Sequence, residues 1–304
     1  MHRCLLAILL VGCTAAPSDD DDSATPAPVE PPCGSWDPAT VLGVVEDPSI
    51  TEISGLVASR RNPGVLWVHE DSGAAAVLTA LDRNGATLGT LRLDAPALDN
   101  EDLALGPCPD DAWCLVLADI GDNAELRPTV ALRRVVEPDL GDVSPDAPFE
   151  LEAEPETVSV SYPDGPENAE GAVVTPEGDV IIVTKRNDGD AKLLRVPAAF
   201  DVDVAEHVST ITIDPAGGLA NTVTGSDLSQ DGDRLLLRTY GGVYQVDLSD
   251  VGLAGAADGS VRVLPAAPEP QGEAVAWDAD GRSVLQVSEA TNPPLYWMRC
   301  ASTP

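Results

Sequence analysis

The sequence predicts an all-β protein, a five-bladed β-propeller built from four-stranded antiparallel blades. Short apolar, strand-like runs alternate with Gly- and Asp-rich turns along most of the chain, and no long stretch shows the 3.6-residue apolar period of a helix. One short pattern also recurs five times. Units of four short strands, each spanning about 40 to 50 residues, are typical of propeller blades.

Each repeat begins with a polar or acidic residue directly before an apolar strand, which is followed by a turn and a second strand. The five marked residues are Ser54, Glu101, Glu170, Ser226 and Glu273. Successive marked residues are 47, 69, 56 and 47 positions apart. The last unit lacks a fourth strand, whereas the segment TVLGVVE at 40–46 precedes the first unit without a partner. We expect this segment to complete the last blade and close the ring, which removes open sheet edges.

Two other architectures compete with five blades. A β-sandwich accounts for the short strands but not for one marked residue per repeat. Six blades are the alternative if the acidic, Pro-rich insertion at 137–156, within the longest interval, contains an extra blade.

The N-terminus has the pattern of an export signal. Residues 1–12 combine Arg3 with an apolar run that is too short to span a bilayer. The stretch LVGC at 10–13 resembles the lipobox of bacterial lipoproteins, which implies that Cys13 is acylated and begins the mature chain; the alternative is an ordinary signal peptide with a chance cysteine. Thr14 is not the Asp associated with inner-membrane retention, so the resemblance implies an outer-membrane lipoprotein, periplasmic or surface-exposed.

Composition divides the rest of the chain and restricts its partners. Residues 13–34 are rich in Pro and Asp and are interpreted as a disordered tether, whereas 35–304 form the propeller domain. The net charge is −34, with 51 acidic and 17 basic residues. Nucleic acid and anionic membrane surfaces are therefore excluded as partners, and cations are favoured. We expect a monomer that contacts the membrane only through its lipid anchor.

Four cysteines remain beyond Cys4 and Cys13, and an even number in an exported chain indicates disulfides. Cys108 and Cys114 flank a short polar loop between two strand-like runs. The other two, Cys33 and Cys300, would then join the start of the domain to its end.

The marked residues predict a metal site in the central channel. The first strand of each propeller blade lines the channel, so the five side chains should converge around the axis. A like-charge pair about 4 Å apart costs on the order of 4 kcal/mol at an effective dielectric near 20. No Lys or Arg stands at an equivalent position, and carboxylates with hydroxyls favour Ca2+. The alternative is that these side chains only cap strand ends or bind channel water.

The order Ser, Glu, Glu, Ser, Glu, one per blade, resembles the calcium-activated nucleotidase (apyrase) family. That resemblance implies a five-bladed propeller in which Ser54, Glu101, Glu170, Ser226 and Glu273 hold a channel Ca2+. The strand pattern also resembles, more loosely, phytase-like esterase propellers. The family's block of charged residues over the channel is not recognisable here.

Other charged residues follow the second strands and should lie on the metal face. In a hydrolase of phosphate esters such as nucleotides, Asp71 or Asp119 would orient the attacking water, while Arg186 and Arg238 would hold an anionic small molecule. This hydrolase is the alternative prediction. The preferred one is a non-catalytic surface lipoprotein whose Ca2+ joins the blades and whose metal face binds a protein or glycan.

Overall fold

The computed structural model describes residues 33–71, 75–108, 112–213 and 217–301. The predicted signal peptide, the acylated Cys13 and the tether up to Pro32 lie outside these residues. In the described part, no helix is long and apolar enough to cross a membrane.

The described residues form strands in the following chain order: β1 Thr40–Val44, β2 Ile53–Ala58, β3 Leu66–Glu70, β4 Val77–Leu81, β5 Thr87–Leu93, β6 Asp102–Pro107, β7 Trp113–Asp119, β8 Val130–Val136, β9 Phe149–Ala153, β10 Glu156–Val160, β11 Ala169–Val174, β12 Val180–Thr184, β13 Asp190–Val196, β14 Glu206–Thr212, β15 Val223–Leu228, β16 Arg234–Thr239, β17 Gly242–Asp247, β18 Val261–Leu264, β19 Gly272–Trp277, β20 Val284–Ser288 and β21 Pro294–Met298. Two short 3-10 helices span Leu219–Asn221 and Leu253–Asp258.

These strands form five sheets, so the predicted five-bladed propeller is confirmed. In order of the chain the blades are β2-β3-β4-β5, β6-β7-β8-β10, β11-β12-β13-β14, β15-β16-β17-β18 and β19-β20-β21-β1. The first strand of each blade is its inner strand, and inner strands of neighbouring blades contact each other around the axis. Every residue of β2, β11 and β19 is buried, because apolar side chains on both faces of each blade pack against the adjacent blades.

The N-terminal strand closes the ring as the sequence predicts. β1 pairs antiparallel with β21, with Val41 opposite Tyr296. The disulfide Cys33–Cys300 lies beside this closure, with its Cα atoms 5.4 Å apart. The second predicted disulfide, Cys108–Cys114, is also present, with a Cα separation of 5.3 Å.

The insertion at 137–156 does not form a sixth blade. It contributes β9, which pairs in parallel with β5 and gives the first blade a fifth strand. Phe149 packs edge-on against Trp67, with ring centroids 6.1 Å apart. At the start of the insertion, the buried carboxylate of Glu137 accepts a hydrogen bond from Trp67 Nε1 at 3.0 Å. Aromatic packing and a buried hydrogen bond therefore hold the insertion against the first blade.

Candidate functional site

The marked residues lie at the start of the inner strands, where most blades contain the same backbone irregularity. The pairing of the first two strands skips one residue in four blades, which places a bulged residue at Ser54, Glu170, Thr224 and Glu273. In the second blade Glu101 directly precedes β6, and its N–H donates to Ala118 at 2.9 Å. Bulges of this kind redirect a side chain, here at one end of the channel.

The fourth blade corrects one assignment, because Thr224 rather than Ser226 occupies the bulged position. The Thr224 hydroxyl donates to the carbonyl oxygen of Gly272 at 2.8 Å, just as the Ser54 hydroxyl donates to that of Glu101 at 2.5 Å. Ser226 lies two residues further along β15, where its N–H donates to Asp102 Oδ2 at 3.1 Å. A sequence signal for this register exists: Ser54, Glu170 and Thr224 are each followed by glycine.

A cavity of about 140 Å³ occupies this end of the channel. Four of the predicted ligands, Ser54, Glu101, Glu170 and Glu273, line it, and so does the predicted catalytic residue Asp71. Ser226 and Thr224 do not. The remaining lining residues are Asn123, Lys185, Tyr240, Gln271 and Glu289. This end of the channel, hereafter the acidic mouth, thus presents five carboxylates and one ammonium.

Glu101 is the least compensated carboxylate of the acidic mouth. Its side chain is 5 % exposed, and none of the hydrogen bonds or ion pairs found among the described residues reaches its carboxylate. Oxygens of Asp71, Asp99 and Glu101 all lie within 4.8 Å of one another. Burial, then repulsion from Glu170 and Asp71, raises the pKa of Glu101 to about 10. Asp99, in the loop before β6, was missed by the sequence reasoning.

Gly121 makes this grouping of carboxylates sterically feasible. A Cβ at this position would overlap with Glu101 Oε1 and Asp99 Oδ2. The bare glycine backbone therefore leaves the space in which the two carboxylates lie.

Lys185, which does not belong to an inner strand, balances part of the ring. At the end of β12, it forms an ion pair with Glu170 and donates to Tyr240 Oη at 2.9 Å. Burial favours the neutral amine, but the neighbouring Glu170 outweighs that effect and raises the pKa of Lys185. Burial still raises the pKa of Glu170, to about 6. Lys185 thus balances one side of the acidic mouth and leaves Glu101 without a direct partner.

Gln271 links the two carboxylates of the fifth blade. Its amide nitrogen donates to Glu273 Oε1 at 2.9 Å and to Glu289 Oε2 at 2.5 Å. Burial nevertheless raises the pKa of Glu273 to about 8. The amide carries no charge, so it satisfies hydrogen bonds of Glu273 and Glu289 without neutralising either carboxylate.

Asp119, Arg186 and Arg238, three of the four predicted catalytic residues, form ion pairs outside the cavity. Asp119 is 2 % exposed and forms ion pairs with Arg127 at 2.8 Å and Arg133 at 2.9 Å. Arg238 is also 2 % exposed and pairs with the buried Glu269 at 2.8 Å. Arg186 pairs with Glu167 and Asp188 outside the cavity. Of the four, only Asp71 lines the acidic mouth.

Two aspartates, the buried Asp102 and the half-buried Asp227, cross-link the blades below the acidic mouth, and the sequence reasoning missed both. Asp102 Oδ2 accepts backbone N–H groups from Ala172 at 2.8 Å and Ser226 at 3.1 Å, which joins three blades. Asp227 Oδ2 accepts the N–H of Trp277 at 2.7 Å, which joins the fourth blade to the fifth. Their role is structural, since both carboxylates bind strand amides.

Comparison with known proteins supports the fold and does not identify a family. Neither a protein-family model nor a curated protein sequence matches the chain. Among solved structures, the chain is similar to the PQQ-bound form of an aldose sugar dehydrogenase from Streptomyces coelicolor. The TM-score is 0.50 at 12 % sequence identity, and the match covers 89 % of this chain and 99 % of that one. At this identity the likeness concerns the propeller fold alone.

Proposed function

We propose that the protein binds Ca2+ at the acidic mouth and that this face then binds a protein or glycan partner without catalysing a reaction. The observation that carries the proposal is the Glu101 carboxylate, which is buried, has no donor among the described residues and lies beside two other carboxylates. A buried anion of this kind must be protonated or paired, and a divalent cation provides the pairing.

The residues present suit Ca2+. Asp71, Asp99 and Glu101 would hold the ion, with Glu170, Glu273 and the Ser54 hydroxyl available in the same cavity. These are hard oxygen donors, which favour Ca2+ over zinc or copper. No His or Cys lines the acidic mouth. The bound ion would neutralise these carboxylates and would thereby link residues of the first, second and third blades.

The lining of the acidic mouth favours binding over catalysis. Transfer of a phosphoryl group needs cations that stabilise the charge of the ester. Arg186 and Arg238 do not line the cavity, and Lys185 is already bound to Glu170 and Tyr240. The cavity walls therefore offer no arginine to an anionic substrate.

Anchoring through Cys13 is part of the same proposal and places the propeller on the outer membrane of a bacterial cell envelope. The resemblance of LVGC at 10–13 to a lipobox supports it. In a lipoprotein-processing bacterium, Cys13→Ser should release the protein from the membrane fraction and abolish incorporation of labelled palmitate. Full retention of Cys13→Ser in membranes would contradict the proposal.

Thermal unfolding with chelator and with millimolar Ca2+ tests the binding proposal. Ca2+ should raise the melting temperature of wild type, because only the folded state presents the assembled site. Glu273→Gln should melt no lower than wild type in chelator, since it removes a carboxylate that is costly to ionise, yet it should gain less from Ca2+. Glu177→Gln, in an exposed turn, serves as the control and should match wild type. Equal Ca2+ responses in Glu273→Gln and wild type would mean that Glu273 only caps a strand.

A further inference from the structure

A second cavity lies at the opposite end of the channel, where the inner strands finish. Its volume is about 240 Å³, larger than that of the acidic mouth. All five blades contribute to it through strand-end residues such as Ala58, Pro107, Val174, Leu228 and Trp277. The buried Asp102 and its strand amides lie near the starts of the inner strands, whereas the half-buried Asp227 lies at this end.

The chemistry of this second cavity, hereafter the lower cavity, differs from that of the acidic mouth. Most of its lining residues are apolar or aromatic, among them Val57, Leu105, Val174, Trp113 and Trp277, although polar atoms form nearly half of the wall surface. An apolar cavity with a few converging polar groups is the usual form of a small-molecule site. A volume of this size accommodates a ring system of about ten to fifteen non-hydrogen atoms, since an engineered cavity of about 150 Å³ binds benzene.

Within the described part of the chain, Arg60 is the one basic side chain in the wall of the lower cavity. Its Nη1 donates to the carbonyl oxygen of Ala279 at 2.7 Å, and no carboxylate of the described residues lies within ion-pair distance. The adjacent Arg61, in contrast, pairs with Asp139 at 3.2 Å. In a chain with 51 acidic and 17 basic residues, an arginine that contacts no carboxylate of the described residues directly, and whose charge acts on Asp227 in the same wall only beyond ion-pair distance, indicates a site for an anionic group.

Among the described residues Asp227 is the one acidic side chain in the wall, and it disfavours an anion close to it. Its Oδ1 accepts the N–H of Leu228 at 2.8 Å and its Oδ2 that of Trp277 at 2.7 Å, so both oxygens are occupied by the backbone. A ligand carboxylate would therefore bind the Arg60 guanidinium rather than Asp227, whose oxygens already accept backbone N–H groups, while its apolar body fills the space between the strand ends.

We propose that the lower cavity binds a small aromatic carboxylate, with its ring against the apolar wall and its carboxylate on Arg60. This site is separate from the acidic mouth and does not depend on Ca2+. A neutral analogue of the acid should bind more weakly, because it cannot form the charged contact with the Arg60 guanidinium.

Titration of the full propeller with 1-naphthoate and with neutral 1-naphthalenemethanol, in chelator, tests the proposal. Binding is followed by tryptophan fluorescence and by calorimetry. Wild type should bind naphthoate more tightly than the alcohol. Arg60→Met should weaken naphthoate binding about 10-fold or more, as expected for a charge-assisted hydrogen bond, and leave the alcohol within about 2-fold. Arg61→Met is the matched control and should bind both probes as wild type does.

A blocking variant separates the lower cavity from other surfaces. Gln230 is exposed at the rim, so Gln230→Trp should obstruct entry with little effect on the core and should abolish binding of both probes. An unchanged melting temperature checks that the variant folds. The proposal is overturned if wild type binds neither probe at millimolar concentration, if Arg60→Met and Arg61→Met behave alike, or if the folded Gln230→Trp variant binds naphthoate normally.

Discussion

Thr224 of the fourth blade donates its hydroxyl hydrogen to the carbonyl oxygen of Gly272 in the fifth blade, at 2.8 Å. Thr224 is fully buried, so replacing its hydroxyl by a methyl group leaves that carbonyl oxygen without this donor. We expect Thr224→Val to lower the free energy of unfolding by about 1–3 kcal/mol in urea titrations.

The register of β15, in which Thr224 is the bulged residue, also predicts how Thr224→Val and Ser226→Ala affect Ca2+ binding. Neither residue lines the acidic mouth, so both variants should keep the wild-type Ca2+ affinity in calorimetric titration. A large loss of affinity in Ser226→Ala alone would restore Ser226 to the ligand set and contradict the register described here.

The overall fold could be predicted from the sequence because each blade repeats its strands and turns. The closing strand 40–46 followed from the same periodicity, whereas the pairing of Cys33 with Cys300 followed from assigning Cys108 to Cys114. The parallel pairing of β9 with β5 could not be predicted in this way. Which sheet edge an insertion pairs with depends on tertiary packing, here of Phe149 on Trp67.

The candidate site was only partly predictable. The bulge that selects Thr224 over Ser226 is a backbone feature, visible in sequence only as the following glycine. Asp99 and Lys185 come from a loop and from the end of a second strand, so their approach to the axis depends on the geometry of whole blades. Patterns within one strand do not contain that information.

The raised pKa of Asp227 predicts that the stability of the protein depends on pH. Burial raises its pKa from an ordinary value near 3.8 to about 7. The folded state then keeps a proton that the unfolded state releases, so this residue's contribution to the free energy of unfolding should fall as pH rises from about 4 to 7. The loss should be on the order of 2–4 kcal/mol.

Urea titrations of Asp227→Asn between pH 4 and 8 measure this contribution. Relative to wild type, the variant should gain stability as pH rises to 7 and change little above it. Asp142→Asn, at an exposed position, should keep a constant difference from wild type. A constant difference for Asp227→Asn as well would show that Asp227 is ionised in the folded protein throughout this range.

The two disulfides should contribute unequally to stability. Cys33–Cys300 closes a loop with a sequence separation of 267, against 6 for Cys108–Cys114. Loop-closure entropy assigns them about 5–6 and about 2 kcal/mol. Cys33→Ser/Cys300→Ser should therefore melt well below Cys108→Ser/Cys114→Ser in calorimetric scans, and equal melting temperatures would show that strand pairing alone closes the ring.

Lys185 should oppose Ca2+ binding, because its ammonium lies in the same cavity as the carboxylates. Lys185→Met removes a unit positive charge beside a divalent site, and Ca2+ affinity should rise about 10-fold or more. Lys192→Met is the control, since Lys192 pairs with Asp164 and Glu167 away from the acidic mouth. A fall in affinity for Lys185→Met would mean that Lys185 positions Glu170 for the ion.

Calorimetric titration of chelator-treated wild type and Glu101→Gln with Ca2+ tests the central claim most directly. At pH 7.5 and low ionic strength, wild type should bind one Ca2+ per chain. Glu101→Gln should bind at least about 100-fold more weakly, because it removes a buried carboxylate of the acidic mouth that no hydrogen-bond donor of the described residues reaches, while Glu177→Gln should match wild type. Absence of Ca2+ binding in wild type, or equal affinity in Glu101→Gln, would contradict the account.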